Sequence, residues 1–566
     1  MRDRLAPLAR PLVLGGAAIV VVSCFLPWSD YAGFPGKMTL GGSPGGARLH
    51  VLLLALPAFL LLRTARVAPA ARVGSTFLGV DVLLTALFIG YAGGGLVNVG
   101  YGAWIAVVGA VALCVGSWSL PDSDGAPAPA LPDRSWRRPL EIVLVIGVAV
   151  LGLIVFVVGL GIPTSDIASG NDHKLAGAVS LNDLTNESEF LSFLLLIAGA
   201  GLMAARLGVV AMLSTMTQRY NRVLVASAIV VAAVFPFTQD GNGYSLRIAA
   251  SIGVFAAAAV GLNIVVGLAG LLDLGYIAFF GVGAYFAALV SGSTSSVIGV
   301  HLPFALVIVL GGLVSGLFGV LLGAPTLRLR GDYLAIVTLG FGEIFRITAN
   351  NLDGSAGPSL TNGPNGISRI PDLAIGSFDF GQTHELFGVT LPFQANYYWL
   401  EIVLIGFVLM AFLRLAESRI GRAWVAIRED ELAAAATGIN TTRLKLLAFA
   451  LGATLAGVAG TVDAHVVKVA EPNSFTFLES ALLLSAVILG GMGTVPGALL
   501  GATVLYLLPE KLRFLQDLRL LVFGIVLVLI MRFRPEGLVP SKRRQRELHE
   551  AGGADALSAP PGGVMG

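Results

Sequence analysis

Long apolar runs, separated by short polar segments, recur from one end of the chain to the other. About twenty consecutive apolar residues let an α-helix cross the hydrocarbon core of a bilayer, and most of these runs approach that length. The pattern therefore predicts an all-α fold, a polytopic transmembrane helical bundle of roughly fourteen spans. The predicted spans are residues 11–27, 49–62, 75–94, 101–120, 139–161, 190–213, 222–238, 247–267, 274–291, 302–326, 333–349, 396–414, 445–467 and 519–533.

One further apolar region, residues 478–508, is interrupted in its middle by glycine and proline. Gly490-Gly491-Met492-Gly493 is followed closely by Pro496-Gly497. Both residue types disfavour a continuous helix, and broken membrane helices occur where irregular backbone is buried in protein or lines a cavity. We expect a re-entrant or broken helix here, formed by two half-helices in a hairpin.

Basic residues are concentrated in alternate loops, which predicts the orientation of the chain. Loops rich in lysine and arginine face the cytoplasm. Arginine or lysine is present at residues 2–10, 63–72, 134–138, 219–222, 328–330 and 414–445. The loops 162–189 and 350–395 are then outside, and the tail 541–566 is inside if residues 478–508 do not cross. Both termini are predicted to be cytoplasmic.

Composition agrees with a membrane protein and excludes several other classes. Of the 566 residues, 56% are hydrophobic and 12% are charged, whereas soluble domains carry about 25% charged residues. The net charge of +2 gives no argument for nucleic acid. The chain has no phosphate-binding loop and no H-E-x-x-H metal motif. Its sparse titratable residues argue against a membrane enzyme.

The first apolar run raises the question of processing. It follows three arginines but lacks a clean A-x-A cleavage site and precedes further apolar runs, so an uncleaved first helix is expected. Val21-Val22-Ser23-Cys24 also resembles a lipoprotein cleavage box, which leaves a lipidated Cys24 as the alternative. The other cysteine, Cys114, is far from Cys24 in sequence, and nothing indicates a disulfide or metal framework.

Residues 261–285 carry glycine every three to six positions within an apolar region. Small residues allow membrane helices to pack closely, so helix packing is one interpretation. The other is a broken helix that lines a solute path, since an acid at membrane depth must face protein or water. The candidate pathway residues are Asn263, Gly267, Gly270, Asp273, Gly275, Gly281, Gly283 and Tyr285.

Residues 418–445 form the longest basic loop. Residues 428–436 favour helix, and Gly438 is a natural helix terminator. The pattern predicts a short charged helix at the cytoplasmic surface, and structured loops of this length are often functional.

Two groups of charged residues lie near predicted outer helix ends. Glu343 and Arg346 are three residues apart on one helix face and are expected to form a structural ion pair rather than to contact substrate. Asp463, His465 and Lys468 are expected to mark the water boundary rather than a proton relay.

Six ordered motifs between residues 241 and 540 resemble the branched-chain amino-acid ABC permease family, LivM type. They begin with the glycine-rich segment, which contains Gly261-Leu262-Asn263 and ends Ala278-Phe279-Phe280-Gly281 and Gly283-Ala284-Tyr285. The others are Thr338-Leu339-Gly340-Phe341-Gly342-Glu343-Ile344-Phe345-Arg346, Thr361-Asn362-Gly363-Pro364-Asn365-Gly366-Ile367, the loop motif Gly421-Arg422-Ala423-Trp424 with Ala426-Ile427-Arg428-Glu429-Asp430-Glu431, Leu489-Gly490-Gly491-Met492-Gly493-Thr494, and Phe533-Arg534-Pro535-Glu536-Gly537-Leu538.

The resemblance implies a transport subunit rather than an enzyme. It implies a bacterial cytoplasmic membrane permease that carries branched-chain amino acids and works with a second, related permease of LivH type. Two cytoplasmic ATPases would bind ATP and Mg, with no cofactor in this chain, and an extracytoplasmic solute-binding protein would deliver the solute. The loop 418–440 resembles the segment that docks into an ATPase. Its candidate coupling residues are Arg422, Arg428, Glu429, Asp430, Glu431 and Gly438.

Other functions stay open at this stage. Permeases of the same class carry urea, amides or nucleosides, and an ion-coupled secondary transporter would show matching intramembrane acids in internal repeats. The sequence predicts an N-terminal transmembrane extension without an assigned role (1–240), a permease core (241–540) and a cytoplasmic tail that is expected to be disordered (541–566).

Overall fold

The computed structural model describes most of the helical part of the chain. The described residues are 6–28, 49–61, 67–92, 95–120, 138–161, 181–239, 241–326, 329, 332–355, 358–376, 378–386, 388–511 and isolated positions between 521 and 539. The predicted tail 541–566 and most of the predicted span 519–533 lie outside them. The chain forms two compact units, and the division falls between Phe235 and Pro236.

The described part of the first unit contains eight α-helices. In chain order they are α1 (Ala9–Ser23), α2 (Leu49–Leu60), α3 (Ala68–Ala92), α4 (Tyr101–Ser119), α5 (Arg138–Gly161), α6 (Leu181–Arg206), α7 (Val209–Arg219) and α8 (Asn221–Val234). Helices α1 and α4 pack backbone to backbone, because a Cβ on Gly16 would lie 2.6 Å from Leu113 N. Cys24, directly after α1, is fully buried in this unit's core.

The described part of the second unit contains ten α-helices. They are α9 (Gly243–Asn263), α10 (Tyr276–Val290), α11 (Phe304–Thr326), α12 (Asp332–Asn351), α13 (Phe393–Glu417), α14 (Arg419–Glu429), α15 (Glu431–Ala436), α16 (Thr441–Val467), α17 (Phe477–Gly490) and α18 (Val495–Lys511), with a π-helical turn, Ile264–Leu268, that follows α9 directly. Helix α9 is central, and it packs against α13, α16 and α17.

Small residues on one face of α11 explain its close packing against α16. Glycines recur along this face, and a Cβ on Gly319 would lie 2.6 Å from the Cβ of Ala453. The opposite face of α11 exposes large aliphatic side chains, including Leu313, Leu317 and Leu321. A helix with one glycine face and one exposed aliphatic face suits the periphery of a membrane bundle, where small residues let backbones approach.

Short strands lie at one end of the second unit, and we call this end the strand end. The strands are β1 (Ile367–Ser368), β2 (Ala374–Ile375), β3 (Phe378–Asp379), β4 (His384–Leu386), β5 (Val389–Leu391) and β6 (Val469–Ala470). Each pairs antiparallel in a two-stranded sheet, β1 with β6, β2 with β3, and β4 with β5. The other end carries residues 418–440, and we call it the coupling end.

Among the described residues, nine helices are long and apolar enough to cross a membrane, or ten if one bent pair counts as a span. Four shorter apolar helices accompany them. The all-α membrane fold is therefore confirmed, whereas the count of fourteen spans stays a prediction. Helix α12 occupies the predicted span 333–349 but is not among the nine.

One predicted span is wrong in its shape. We expected a single helix over 190–213, but α6 and α7 meet at a bend of 84°. Gly208, at the start of α7, has φ of +77°, a conformation that a glycine adopts readily and that stops helix propagation.

The region 478–508 does break, into α17 and α18, with residues 491–494 between them. A Cβ on Gly501 of α18 would overlap the carbonyl of Ala486 in α17, so the two helices form a closely packed hairpin. Helix α17 follows β6 at the strand end, and Glu510 of α18 accepts a hydrogen bond from Tyr244 at the start of α9 (2.8 Å). Gly243 in turn contacts Gln394 beside β5. The hairpin therefore begins and ends at the strand end.

Candidate functional site

The first feature of the candidate site is the break that follows α9. The helix ends at Asn263, a π turn occupies Ile264–Leu268, and helix resumes only at Tyr276. Gly270 has φ of +71°, and Leu271 N donates to the carbonyl of Val265 (3.0 Å). π-helical turns often mark functional sites, because they open the regular ladder of backbone hydrogen bonds.

The second feature is the break between α17 and α18. Gly491 and Gly493 both have positive φ, at +125° and +78°, which explains why glycine occupies these positions. Leu538 N and Val539 N donate to the carbonyls of Leu489 and Gly490, at 2.7 and 2.8 Å. Residues 489–490 and 538–539, which are far apart in sequence, thus meet through their backbones.

Asn263 connects the two breaks. Its side chain is fully buried, and its Oδ1 accepts a hydrogen bond from Gly493 N at 2.8 Å. Its Nδ2 donates to the carbonyl of Thr494 at 3.1 Å. The amide therefore satisfies the Gly493 N–H, which the break in the hairpin leaves without a helical partner, and it adds a second donor to the carbonyl of Thr494, which also accepts from Ala498 N (3.2 Å).

Arg428 connects the coupling loop to the same place. Its Nη1 donates to the carbonyl of Gly267 at 2.6 Å. A Cβ on Gly270 would lie 2.6 Å from Arg428 Cγ, so the absence of a side chain at Gly270 makes room for the arginine. We call Asn263, Gly267, Gly270, Arg428 and Gly493, with Thr494, the junction.

Asp273 and Gly275 lie outside the junction, between the π turn and α10. Asp273 is fully buried, and its Oδ1 accepts a hydrogen bond from Gly275 N at 2.9 Å. Thr338 Oγ1 accepts from Leu274 N at 3.0 Å, and a Cβ on Gly275 would overlap the carbonyl of Thr338. These contacts hold the segment closely against α12.

The remaining candidate pathway residues lie in α10. Gly281 faces the ring of Phe345, and a Cβ on Gly283 would overlap the carbonyl of Gly457 in α16. Tyr285 packs edge-on to Phe345 and Phe475, with ring centroids 6.1 and 6.0 Å apart. The structure thus places these residues in close contacts between helices. A role in lining a solute path stays a prediction.

The predicted single helix over 428–436 is wrong, because it is two helices. Asp430 adopts an extended conformation between α14 and α15, and its Oδ1 accepts hydrogen bonds from Leu432 N (2.8 Å) and Ala433 N (3.0 Å). An aspartate that caps a new helix in this way ends the preceding one. Gly438, with φ of +88°, follows α15.

The other coupling candidates have different surroundings. Arg422 and Glu429 are exposed, and Arg422 Nη1 donates to the carbonyl of Glu417 at 2.9 Å. Glu431 instead forms an ion pair with Lys445 of α16 at 2.7 Å, where the lysine side chain is only 8% exposed. Trp424, which the loop motif contains but which is not among the coupling candidates, is fully buried and donates from Nε1 to the carbonyl of Leu444 (2.7 Å).

We expect Glu431→Ala to destabilise the second unit, because it leaves the buried ammonium of Lys445 without its carboxylate. The loss is up to about 3 kcal/mol, reduced by the partial exposure of Glu431. Thermal unfolding of the purified protein measures it. Glu417→Ala, at an exposed position nearby, is the control, and adding Lys445→Met to Glu431→Ala should restore stability. Equal melting temperatures for Glu431→Ala and Glu417→Ala would contradict this role.

Glu343 and Arg346 are brought together in α12. Glu343 Oε2 lies 2.8 Å from Arg346 Nη2, and the side chains are 34% and 29% exposed. A pair this exposed contributes little to stability in water.

The polar residues near the strand end separate into several environments. Lys468 pairs with Asp372 at 2.7 Å, and Tyr397 donates its hydroxyl proton to the same carboxylate at 2.7 Å. His465 is buried, with Ser291 Oγ 3.0 Å from its Nε2. Glu401, which sequence analysis did not single out, is buried in α13. In the loop that follows α12 (Asp332–Asn351), which we call the strand-end loop and which extends to α13, hydrogen bonds from Ser355 lower the pKa of the Asp353 carboxyl.

Within the part of the chain that the structure describes, no cluster of three His, Cys, Asp or Glu side chains could hold a metal ion. The junction contains one ionic group, the guanidinium of Arg428, and otherwise consists of backbone groups and one amide. Its chemistry suits a mechanical or solute-contacting role that needs hydrogen bonds rather than catalysis.

Comparison with known proteins identifies a family. Residues 244–531 match the family described as branched-chain amino acid transport system / permease component. The permease protein LivM of a high-affinity branched-chain amino acid transport system is 40% identical in Salmonella typhimurium and 38% identical in Escherichia coli. Each alignment covers 58% of this chain and 77% of the relative.

A second type of permease from the same transport systems matches a shorter stretch. LivH of Salmonella typhimurium is 34% identical over 147 residues, which is 26% of this chain and 46% of LivH. No solved structure matches the chain. Residues 244–531, which match the family, contain both helix breaks and the coupling loop. The resemblance found in the motifs is therefore confirmed. The chain belongs to the family of branched-chain amino acid transport system permease components, and it is of the LivM type.

Proposed function

We propose that this chain is a membrane-spanning permease subunit of an ATP-driven ABC importer that carries branched-chain amino acids across the bacterial cytoplasmic membrane. The observation that carries the proposal is the family match over residues 244–531, which hold both helix breaks and the coupling loop, together with the 40% identity with LivM. The N-terminal unit lies outside the family match and has no assigned role.

The importer needs partners that this chain does not supply. ATP and Mg bind to two separate cytoplasmic ATPases, and a second permease of LivH type completes the membrane pathway. An extracytoplasmic binding protein selects the solute. The local similarity of this chain to LivH itself supports a pair of related permeases.

The coupling loop is the proposed ATPase contact. Helix α14 presents the exposed side chains of Arg422 and Glu429, and the exposed Asp430 lies between α14 and α15. Charge-assisted hydrogen bonds to basic groups of the ATPase would use these acids. Glu431 is a weaker candidate, because it already pairs with Lys445.

The broken segment at residues 261–285 supports the solute path, although its residues are packed between helices. A zwitterion must exchange its water for other polar groups at membrane depth, and the backbone of a broken helix supplies them without many buried charges. The close contacts of Gly275, Gly281 and Gly283 favour a position directly behind the path over direct contact with solute.

Transport by the complete complex tests the proposal. The two permeases and the ATPases are reconstituted in vesicles with the binding protein, and uptake of labelled leucine, isoleucine and valine is measured. We expect uptake that requires ATP hydrolysis and persists when ion gradients are collapsed. Uptake of urea, an amide or a nucleoside instead would redirect the substrate, and uptake that an ion gradient drives without ATP would replace the proposal by a secondary transporter.

The distribution of arginine and lysine predicts that the coupling loop faces the cytoplasm and the strand-end loop faces outside. Cysteine labelling tests this orientation. In a background without the native cysteines, Thr383→Cys in the strand-end loop should react in intact cells with a membrane-impermeant maleimide. Thr437→Cys in the coupling loop should react only after the membrane is opened. Both positions are exposed, so access to the reagent depends on the side of the membrane. Equal labelling of both in intact cells would refute the orientation.

A further inference from the structure

Three segments far apart in sequence meet at the junction, and each belongs to a different structural element. Gly267 lies in the π turn that ends α9, Gly493 lies at the tip of the α17–α18 hairpin, and Arg428 lies in the last turn of α14. The contacts between them are hydrogen bonds of 2.6, 2.8 and 3.1 Å. The coupling loop is therefore joined directly to both helix breaks.

The hydrogen bond of Arg428 is specific to the irregular backbone. In a continuous α-helix, the carbonyl of Gly267 would accept from the amide four residues later. Here the chain has left the helix by Gly270, and Leu271 N donates back to Val265 instead. The guanidinium takes the place of the missing helical donor, and charged donors form the stronger hydrogen bonds.

Helix α14 is itself fixed where it meets the core. Trp424 is one turn before Arg428, on the same helix face, and its indole donates to the carbonyl of Leu444 in α16. The side chain of Ile427 is also buried. A displacement of α14 would therefore also displace Arg428 and the backbone that it contacts, since closely packed interiors transmit strain.

The glycines of the junction leave room for this contact. A Cβ at Gly270 would lie 2.6 Å from Arg428 Cγ and 3.0 Å from its Cβ. Gly493 is also adjacent, because its built Cβ lies 3.9 Å from Arg428 Nη1. The stem of the arginine therefore passes directly over the broken backbone.

We propose that Arg428 and Asn263 are positioning residues that link α14 to both helix breaks, so that the coupling helix, the π turn and the hairpin tip move together. Arg428 holds the π turn to the coupling helix, and Asn263 holds the hairpin tip to the π turn. The inference rests on the proposed ATP-driven permease function and names the internal contacts that carry ATPase motion to the pathway.

The test compares Arg428→Met, Arg428→Lys and Arg419→Ala in the assembled complex. Methionine keeps an aliphatic stem over Gly270 but removes every donor, whereas lysine can still donate to the carbonyl of Gly267. Arg419 is exposed in the same helix and serves as the control. Three quantities are measured for each variant: co-purification of the ATPases, ATP hydrolysis, and solute uptake per ATP hydrolysed.

We expect Arg428→Met to bind the ATPases and hydrolyse ATP while uptake per ATP falls about tenfold or more, as the loss of a charge-assisted hydrogen bond implies. Arg428→Lys should recover most of that ratio, and Arg419→Ala should match the unsubstituted protein. Normal uptake per ATP in Arg428→Met would refute the link. Loss of ATPase binding would also refute it, because Arg428 would then be a docking residue.

A readout without solute separates this inference from the proposed function. Met492, at the hairpin tip, is replaced by cysteine, and its maleimide reaction rate is compared without nucleotide and with ADP–vanadate trapped on the ATPases. The rate should change with nucleotide when Arg428 is present and should become insensitive in Arg428→Met. A nucleotide response that is equal in both would overturn the link, whatever solute the complex carries. Failure of leucine uptake alone would count against the proposed substrate and leave the link standing.

Discussion

Replacing Gly283 by alanine should sharply reduce the amount of folded permease, although it adds only one methyl group. The new Cβ would overlap the carbonyl of Gly457 and lie 2.6 Å from its Cα. Both are backbone atoms, so no side-chain rotation relieves the overlap, and α10 and α16 must separate. Overpacking of this kind costs about 1–3 kcal/mol and occasionally more. Separation would also weaken the hydrogen bond from Thr461 Oγ1 to the carbonyl of Gly283 (3.2 Å).

Gly340→Ala is the matched control for Gly283→Ala. Gly340 lies in α12, and no atom beyond its own helix backbone and its chain neighbours lies within 4 Å of a Cβ built there. Alanine at that position should be neutral or should stabilise by about 0.5–1 kcal/mol through higher helix propensity. Size-exclusion chromatography and thermal unfolding in detergent measure both variants. If the two glycine-to-alanine variants yield equal amounts of protein with equal melting temperatures, the α10–α16 contact is not as close as the structure shows.

The second large effect is expected for Asn263→Leu, which keeps the size and shape of the side chain but removes its polar atoms. Gly493 N–H and the carbonyl of Thr494 would then lose the partners that Asn263 provides in a buried site. The carbonyl of Thr494 keeps its hydrogen bond from Ala498 N (3.2 Å), but the Gly493 N–H becomes unsatisfied, which costs about 1–3 kcal/mol. We expect the hairpin tip to loosen from α9, with loss of uptake. Hydrogen exchange of the peptide 488–498 should become faster, because the amide of Gly493 is no longer protected.

Two further variants serve as controls for Asn263→Leu. Asn351→Leu, at an exposed position of α12, should leave stability within about 0.5 kcal/mol. Asn263→Asp retains the acceptor for Gly493 N but turns a carboxylate towards the carbonyl of Thr494, so it should not rescue at neutral pH. Unchanged exchange in the peptide 488–498 of Asn263→Leu would show that the hairpin tip is held by other contacts.

The helices and their breaks could be predicted because their signals are local. The length of each apolar run predicts a span, and Gly490-Gly491-Met492-Gly493 marks a break that the positive φ of Gly491 and Gly493 explains. The bend at Gly208 was missed because a single glycine within an apolar run is common in membrane helices. The break at Asp430 was missed because alanines on its C-terminal side favour helix, while the capping signal consists of one side chain.

The contacts of the candidate site could not be predicted, because they join distant parts of the chain. Neither the glycine spacing of residues 261–285 nor the charges of residues 418–440 indicates that Arg428 reaches Gly267. The pairing of Ile367 with Ala470 is equally remote in sequence, and two-residue strands leave no alternating pattern to find. The motifs located the relevant segments, and only the packing of helices shows which atoms within them meet.

The hairpin of α17 and α18 has a consequence for how relatives of this chain can diverge. It enters and leaves at the strand end, so it contributes an even number of passages and does not alter the sidedness of anything that follows it. An ordinary spanning helix lacks this property, because its loss would invert every later loop and conflict with the arginine and lysine bias of those loops. A change in the length of the hairpin would therefore leave the orientation of every later loop unchanged, while the contact of its tip with Asn263 sets the position of Gly493.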